Sequence, residues 1–131
     1  MEKNSKVILV DDDKDLLQIL KFFFEGKGFE TQGITTGKEA LEYLLNEKNM
    51  ARVSLVVLDR MLPDMDGLDI LEKFLEKYSH RIPVLILSVL SADKDVIAGL
   101  KKGAVDYIGK PFSPDVLMER AFSLIARASH V

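Results

Sequence analysis

Apolar residues recur along this chain in two rhythms that take turns. Short, mostly β-branched or aliphatic runs predict strands over 6–10, 29–33, 53–58, 83–87 and 105–108. Between them, apolar residues return every three or four positions, the spacing of a helix face. Leu16, Leu17, Leu20, Phe23 and Phe24 mark the first helix, Ala40, Leu41, Leu44 and Leu45 the second, and Leu68, Leu71, Leu75 and Tyr78 the third. The fourth helix, 92–102, is the least convincing: its apolar face is Val96, Ile97 and Leu100, and Gly99 inside it costs about 1 kcal/mol against Ala. Leu117, Ala121, Leu124, Ile125 and Ala128 mark the fifth. The punctuation agrees with these limits. Gly26 and Gly28 stop the first helix, Thr36 with Glu39 forms a capping box before the second, and Gly103 closes the fourth. Ser113 and Pro114 pair a good N-cap with a good first helical residue.

Five strand–helix units with short connections predict an α/β fold, a single doubly wound domain whose parallel sheet is covered by helices on both faces. The run 55–58 is apolar without alternation, as expected of a strand buried on both faces. The weak run 29–33 suits a sheet edge.

Composition narrows the class. The 131 residues suit one ordinary domain, with a core of about 6–127 and no internal boundary marking a second domain. Apolar residues make up 47% and charged residues 30%, enough for a packed core beneath a solvated surface. A formal net charge of −3 provides no broad cationic field, which argues against direct nucleic-acid binding. The absence of Cys excludes disulfides and thiolate metal sites. No apolar run approaches the roughly 18 residues of a membrane span, and the first residues lack the apolar stretch of a signal peptide. A soluble, cytoplasmic protein is expected. Residues 129–131 read either as a frayed end or as the cut end of a longer chain.

Candidate chemistry gathers where strands stop. The first strand ends in Asp11-Asp12-Asp13, the third in Asp59, the fourth in Ser88 and the fifth, after Gly109, in Lys110. Parallel strands bring these ends to one edge, and ligands of open α/β sheets bind beyond the carboxyl ends. Each residue also has a plainer reading. Asp59 could begin a turn, the acid triplet could favour a helix N-terminus (as Asp13 is expected to), Ser88 could cap its strand, and Lys110 could be a surface lysine. The plain readings do not explain why the residues coincide. Carboxylates about 4 Å apart repel by roughly 4 kcal/mol at an effective dielectric near 20, so such a cluster protonates, spreads or binds a cation. Oxygen ligands suit a hard divalent ion, and Mg²⁺ fits because it binds through few carboxylates and keeps waters for a phosphate. Lys110 precedes Pro111, and X–Pro bonds are where cis peptides occur.

These residues resemble the receiver domain of two-component response regulators over nearly the whole chain, about 6–127. The likeness rests on the acid pair after strand one, Asp59 followed by Met-Leu-Pro-x-Met-Asp-Gly, the strand-four hydroxyl, and Gly-Ala-x-x-Tyr-x-x-Lys-Pro-Phe, all in order. The resemblance implies a flavodoxin-like strand order 2-1-3-4-5. It implies that Asp59 is the phosphoacceptor for a histidine kinase phosphohistidine, and that Asp11, Asp12, Asp59 and the Met61 backbone carbonyl hold Mg²⁺. Lys110 would pair with the phosphoryl group, Ser88 would hydrogen-bond it, and Tyr107 would be the aromatic switch that turns inward as Ser88 moves. The output would be a changed surface of helix four, strand five and helix five, read by an output domain or a downstream protein. Such a domain promotes only its own phosphorylation and dephosphorylation and is not otherwise an enzyme.

Two departures stand out. Val89 follows Ser88 where the family usually has a small residue, and its bulk is expected to narrow access to Asp59. Asp95, Asp106 and Arg120 suit the salt-bridged homodimer of receivers attached to winged-helix domains, but Val105 stands where a second acid is common, so separately solvated charges are the competing reading. Other functions fit less well. A phosphatase with an Asp nucleophile wants an acid two residues later, where Met61 stands. A flavin or dinucleotide site wants a phosphate-binding loop after strand one, where three acids would repel it. A receiver-like interaction module that is never phosphorylated remains, against a full set of acceptor-site residues. His80 and His130 read as surface residues, and Phe22-Phe23-Phe24 as core with one exposed ring on a face where a kinase could dock.

Overall fold

The protein is described by a computed structural model covering residues 6–128, in which ten elements alternate strictly. They are β1 (Lys6–Val10), α1 (Lys14–Gly26), β2 (Glu30–Ile34), α2 (Gly37–Leu44), β3 (Val53–Leu58), α3 (Gly67–Tyr78), β4 (Val84–Ser88), α4 (Asp93–Lys102), β5 (Asp106–Gly109) and α5 (Pro114–Ala128). All the strands pair in parallel, in the order β2-β1-β3-β4-β5. The expected fold class and strand order are both found.

Successive side chains of a strand point to opposite faces, and the core divides accordingly. Val7, Leu9, Leu55, Val57, Leu85 and Leu87 face α1 and α5, where Leu20, Phe24, Leu117 and Ala121 are buried. Ile8, Val10, Val56, Leu58 and Ile86 face the other layer, with Ala40 and Leu44 of α2 and Leu71 and Phe74 of α3. Burying each large aliphatic or aromatic side chain contributes roughly 1.5–3 kcal/mol, so two such layers hold the sheet rigid and leave its ends free for chemistry.

The caps are those expected. Asp13 accepts the Leu16 N–H at 3.1 Å and Thr36 accepts the Glu39 N–H at 3.2 Å. Gly103 closes α4 at φ 118°, a left-handed conformation open to glycine. The strands β2, β4 and β5 lie one residue later than their apolar runs suggest. Pro83 stays just outside β4, having no N–H to donate, although its carbonyl accepts the Val56 N–H at 3.0 Å.

The fourth helix corrects one expectation. Ile97 and Leu100 do not face the core; they are 51% and 44% exposed, and only Val96 of the expected face packs inward. The helix approaches the sheet through Gly99, where a Cβ would stand 2.7 Å from the Tyr107 ring. Close approach over an aromatic ring leaves room for hydrogen alone, and this turns the larger apolar residues outward. Phe24 is buried while Phe22 is exposed, and His80 is exposed, as expected. His130 and the 129–131 end lie outside the described residues. No helix among the described residues is long and apolar enough to cross a membrane.

Candidate functional site

The chain winds from β1 to β2 on one side and to β3 on the other, so a crevice opens at the carboxyl ends of β1 and β3. The sheet's hydrogen bonding runs one residue beyond these strands and fixes the position of that residue. The Asp59 N–H donates to the Val10 carbonyl at 2.9 Å, the Asp11 N–H to Ile34 at 3.0 Å, and the Lys110 N–H to Ser88 at 2.9 Å. Three side chains distant in sequence are thereby delivered to one place by backbone bonds.

Two of the acids are buried there, Asp11 at 3% exposure and Asp59 at 4%. Each holds one oxygen on a backbone N–H of its own loop: Asp11 Oδ1 accepts from Asp13 at 2.9 Å, and Asp59 Oδ1 from Met61 at 3.0 Å. The other oxygens share one ammonium. Lys110 Nζ donates to Asp11 Oδ2 at 2.7 Å and to Asp59 Oδ2 at 3.0 Å. Burial pushes the Asp11 carboxyl above the usual carboxylate range, against the opposing bonds from Lys110 and Asp13. Burial alone would loosen the Lys110 proton, but the bonds to Asp11 and Asp59 outweigh it and hold the amine above its ordinary pKa. Asp12 is exposed, yet carboxylate oxygens of Asp11, Asp12 and Asp59 lie within 4.8 Å of one another. Hard anionic oxygens at that spacing, with one acid open to water, fit a divalent cation such as Mg²⁺.

The remaining expected residues line the same edge. Ser88 is fully buried and its hydroxyl oxygen accepts the Leu90 N–H at 3.2 Å. Tyr107 is turned inward, 6% exposed, and its phenol donates to the Leu90 carbonyl. Val89, which follows Ser88, and Met61, two residues after Asp59, are exposed. The Lys110–Pro111 bond is cis.

Four further residues shape the site; Asp66 and Gly67 close the motif that follows Asp59, whereas Arg60 and Asp64 had no signal in the sequence. Arg60 sends its guanidinium to Asp66 and Asp95, with Nη2 3.4 Å from Asp66 Oδ2 and Nη1 3.3 Å from the Asp95 carbonyl. Asp66 caps α3, accepting the Leu68 N–H at 2.8 Å; an Asp before Gly-Leu at the head of an apolar stripe was the readable hint. Asp64 reaches across to α2 and accepts the N–H groups of Gly37 and Lys38 at 2.7 and 2.9 Å. Gly67 lies so near the end of β3 that a Cβ would fall 2.3 Å from the Asp59 carbonyl oxygen.

Known proteins share this fold and much of this sequence. The family model for the response regulator receiver domain matches residues 7–122. Response regulator SaeR of Staphylococcus epidermidis is 37% identical over 123 residues, covering 94% of this chain and 51% of that protein. The chain thus spans about half the length of the curated relatives it matches. A CheY-like response regulator receiver domain protein from Methanospirillum hungatei JF-1 superposes with a TM-score of 0.86 at 27% identity, over 96% of this chain and 97% of that one. The receiver domain of Francisella response regulator 1452 does so with a TM-score of 0.82 at 40% identity, over 95% and 98%. Fold, strand-end cluster and sequence likeness agree, and the chain belongs to the response regulator receiver domain family.

Proposed function

We propose that this domain accepts a phosphoryl group on Asp59 from the phosphohistidine of a histidine kinase, in a Mg²⁺-dependent reaction in the cytoplasm, and signals through the surface of α4, β5 and α5. The observation that carries the reading is the shared ammonium: Lys110 joins two buried carboxylates from different strands at 2.7 and 3.0 Å. A structural ion pair needs one acid. Two acids and a lysine at a sheet's carboxyl edge suit a site that handles an anion and its counter-charge.

In the proposed step, a carboxylate oxygen of Asp59 forms a bond to phosphorus as the bond from phosphorus to the histidine nitrogen breaks. The electron pair leaves with the imidazole. Phosphoryl transfer asks a protein mainly for positioning and for charge at the equatorial oxygens. Lys110 supplies charge, and Ser88 has a hydroxyl proton to donate to a phosphoryl oxygen while its own oxygen is held by Leu90. Asp11, Asp12 and Asp59, with the Met61 carbonyl, would hold Mg²⁺, whose bound charge neutralises the transferred group. Attack by water later returns the free carboxylate and inorganic phosphate, so the domain acts on its own phosphorylation and turns over no other substrate. Tyr107, inward beside Leu90, links this chemistry to the face read by an output domain or downstream protein. For a homodimer on that face, Asp95 and Asp106 already have partners within the chain, Arg60 and Arg120, so dimerisation would exchange internal pairs for external ones.

Intact-mass spectrometry after incubation with acetyl phosphate or phosphoramidate and Mg²⁺ tests the assignment. One added phosphoryl group, dependent on Mg²⁺ and absent from Asp59→Ala, is expected. An adduct that persists in Asp59→Ala would move the acceptor elsewhere. No adduct in the wild type, in Val89→Ala, or with a set of histidine kinases would favour the interaction-module reading.

A further inference from the structure

The residue after Asp59 reaches further than any sequence pattern suggested. Arg60 keeps its side chain 11% exposed and spreads its fork between the heads of α3 and α4. Nη1 stands 3.3 Å from the Asp95 carbonyl and 3.8 Å from Asp95 Oδ1, in the first turn of α4. Nη2 stands 3.4 Å from Asp66 Oδ2, the N-cap of α3. The bond to Asp66 helps keep the guanidinium charged in spite of its burial. The Tyr107 phenol donates to Leu90 in the loop before α4, and its ring lies under Gly99 of that helix. Asp95 is itself tied into that helix, accepting the Ala92 N–H at 3.3 Å.

We infer that Arg60 is the positioning residue that couples Asp59 to the output face, its fork holding the first turn of α4 against the end of β3, with Tyr107 following through Leu90 before that helix and Gly99 within it. Three observations favour coupling over a static brace. Arg60 shares a peptide bond with Asp59, so a displacement at the end of β3 moves it directly. The helix it holds is loosely attached, packing through Gly99 and Val96 with Ile97 and Leu100 exposed. Finally, Arg60 Nε is buried without a partner among the described residues, so an arrangement that gave this donor a partner would relieve a cost the present one carries. A lysine has the charge but not the planar fork that touches several acceptors at once.

The inference rests on the reading of Asp59 as phosphoacceptor, and the experiment separates the two. Arg60→Gln, Arg60→Lys and Asp95→Asn are compared with the wild type. Intact mass reads phosphorylation by acetyl phosphate with Mg²⁺, amide hydrogen exchange reads α4, and fluorotyrosine NMR reads Tyr107. Arg60→Gln is expected to accept the phosphoryl group within about threefold of the wild-type rate. Its resting α4 should exchange about tenfold faster, and the Tyr107 response to phosphorylation should be mostly lost. Arg60→Lys should behave like Arg60→Gln, whereas Asp95→Asn, which keeps the backbone carbonyl that Nη1 reaches, should weaken both readouts less. Wild-type α4 exchange with a full Tyr107 response in Arg60→Gln would overturn the inference. Rescue by Arg60→Lys would overturn the role of the fork, and a matching loss of phosphorylation in Arg60→Gln would place Arg60 in the reaction instead. A wild type that takes no phosphoryl group would overturn the phosphoacceptor reading, and the resting exchange of α4 and the Tyr107 signal would then decide whether Arg60 holds the face.

Discussion

Asp11 and Lys110 stand 99 residues apart in the sequence, and their charged groups meet at 2.7 Å. The contact joins the loop after β1 to the loop after β5, the two ends of the fold's winding. It also leaves the folded protein with two buried acids on one half-buried ammonium, where burial weighs against the charged form of Asp11 at a cost that the ion pair offsets in part.

That cost is measurable at Asp11. Its folded pKa lies above the unfolded value, chiefly through burial, so its contribution to stability is full below the ordinary carboxylate range and is lost as pH rises through the folded value. Asn removes the charge and keeps one acceptor oxygen, which serves either Lys110 or the Asp13 N–H, while Lys110 retains Asp59. Asp11→Asn in the presence of EDTA should be more stable at pH 7 by on the order of 1 kcal/mol, about 4 °C in Tm, with the gap closing in acid. Thermal unfolding at both pH values checks this; a less stable variant at pH 7 would mean that the ion pair more than repays the burial.

Asp64 carries the opposite sign. The N–H groups of Gly37 and Lys38 hold its carboxyl below the usual range, so its contribution is present above the unfolded pKa and is lost as pH falls through the depressed one. Asp64→Ala should melt earlier than the wild type at pH 7, and the difference should fade as the pH falls below the ordinary carboxylate range. A difference that does not change with pH would show that the charge plays no part in this cap.

Gly99→Ala sets two effects against each other. Helix propensity favours Ala by about 1 kcal/mol, while overpacking against a ring typically costs about 1–3 kcal/mol. With the new Cβ 2.7 Å from the Tyr107 ring and 3.0 Å from Ile86 Cδ1, crowding should win. The expected outcome is a Tyr107 ring displaced outward, seen as greater solvent exposure of its NMR signal. A more stable protein with an unmoved ring would mean that α4 shifts at little cost.

Val89 is 57% exposed and directly follows the fully buried Ser88. Its bulk beside the crevice should slow both small donors and the water that ends the phosphorylated state. Val89→Ala should shorten the lifetime of the aspartyl phosphate by on the order of threefold, under 1 kcal/mol of barrier. An unchanged or longer lifetime in a phosphate-release assay would count against the crowding.

The acids, the hydroxyl and the lysine were legible because an apolar strand announces its own end, and parallel strands end on one edge. Asp59 stands out after Leu58 for this reason, as Asp11 does after Val10. The inner face of α4 was misread for a related reason. Periodicity finds a helix face by its large apolar residues, and this helix buries a glycine, so Ile97 and Leu100 gave their weak signal from the wrong side. Arg60 was silent because its meaning lies in its partners: Asp95 is 35 positions away, and only the closed fold brings it near. Asp64 was silent likewise, bonding Gly37 from 27 positions away.

Gly67 has a consequence for anyone who varies this sequence. A Cβ there would meet the Asp59 carbonyl oxygen at 2.3 Å and the Arg60 Cα at 2.9 Å, backbone atoms with nowhere to retreat. In a saturation scan the position would therefore score with Asp59 itself, although it has no group to donate, accept or react. Intolerance to substitution and possession of chemistry come apart here, and a library meant to change which donor the domain accepts has to be drawn around that empty space.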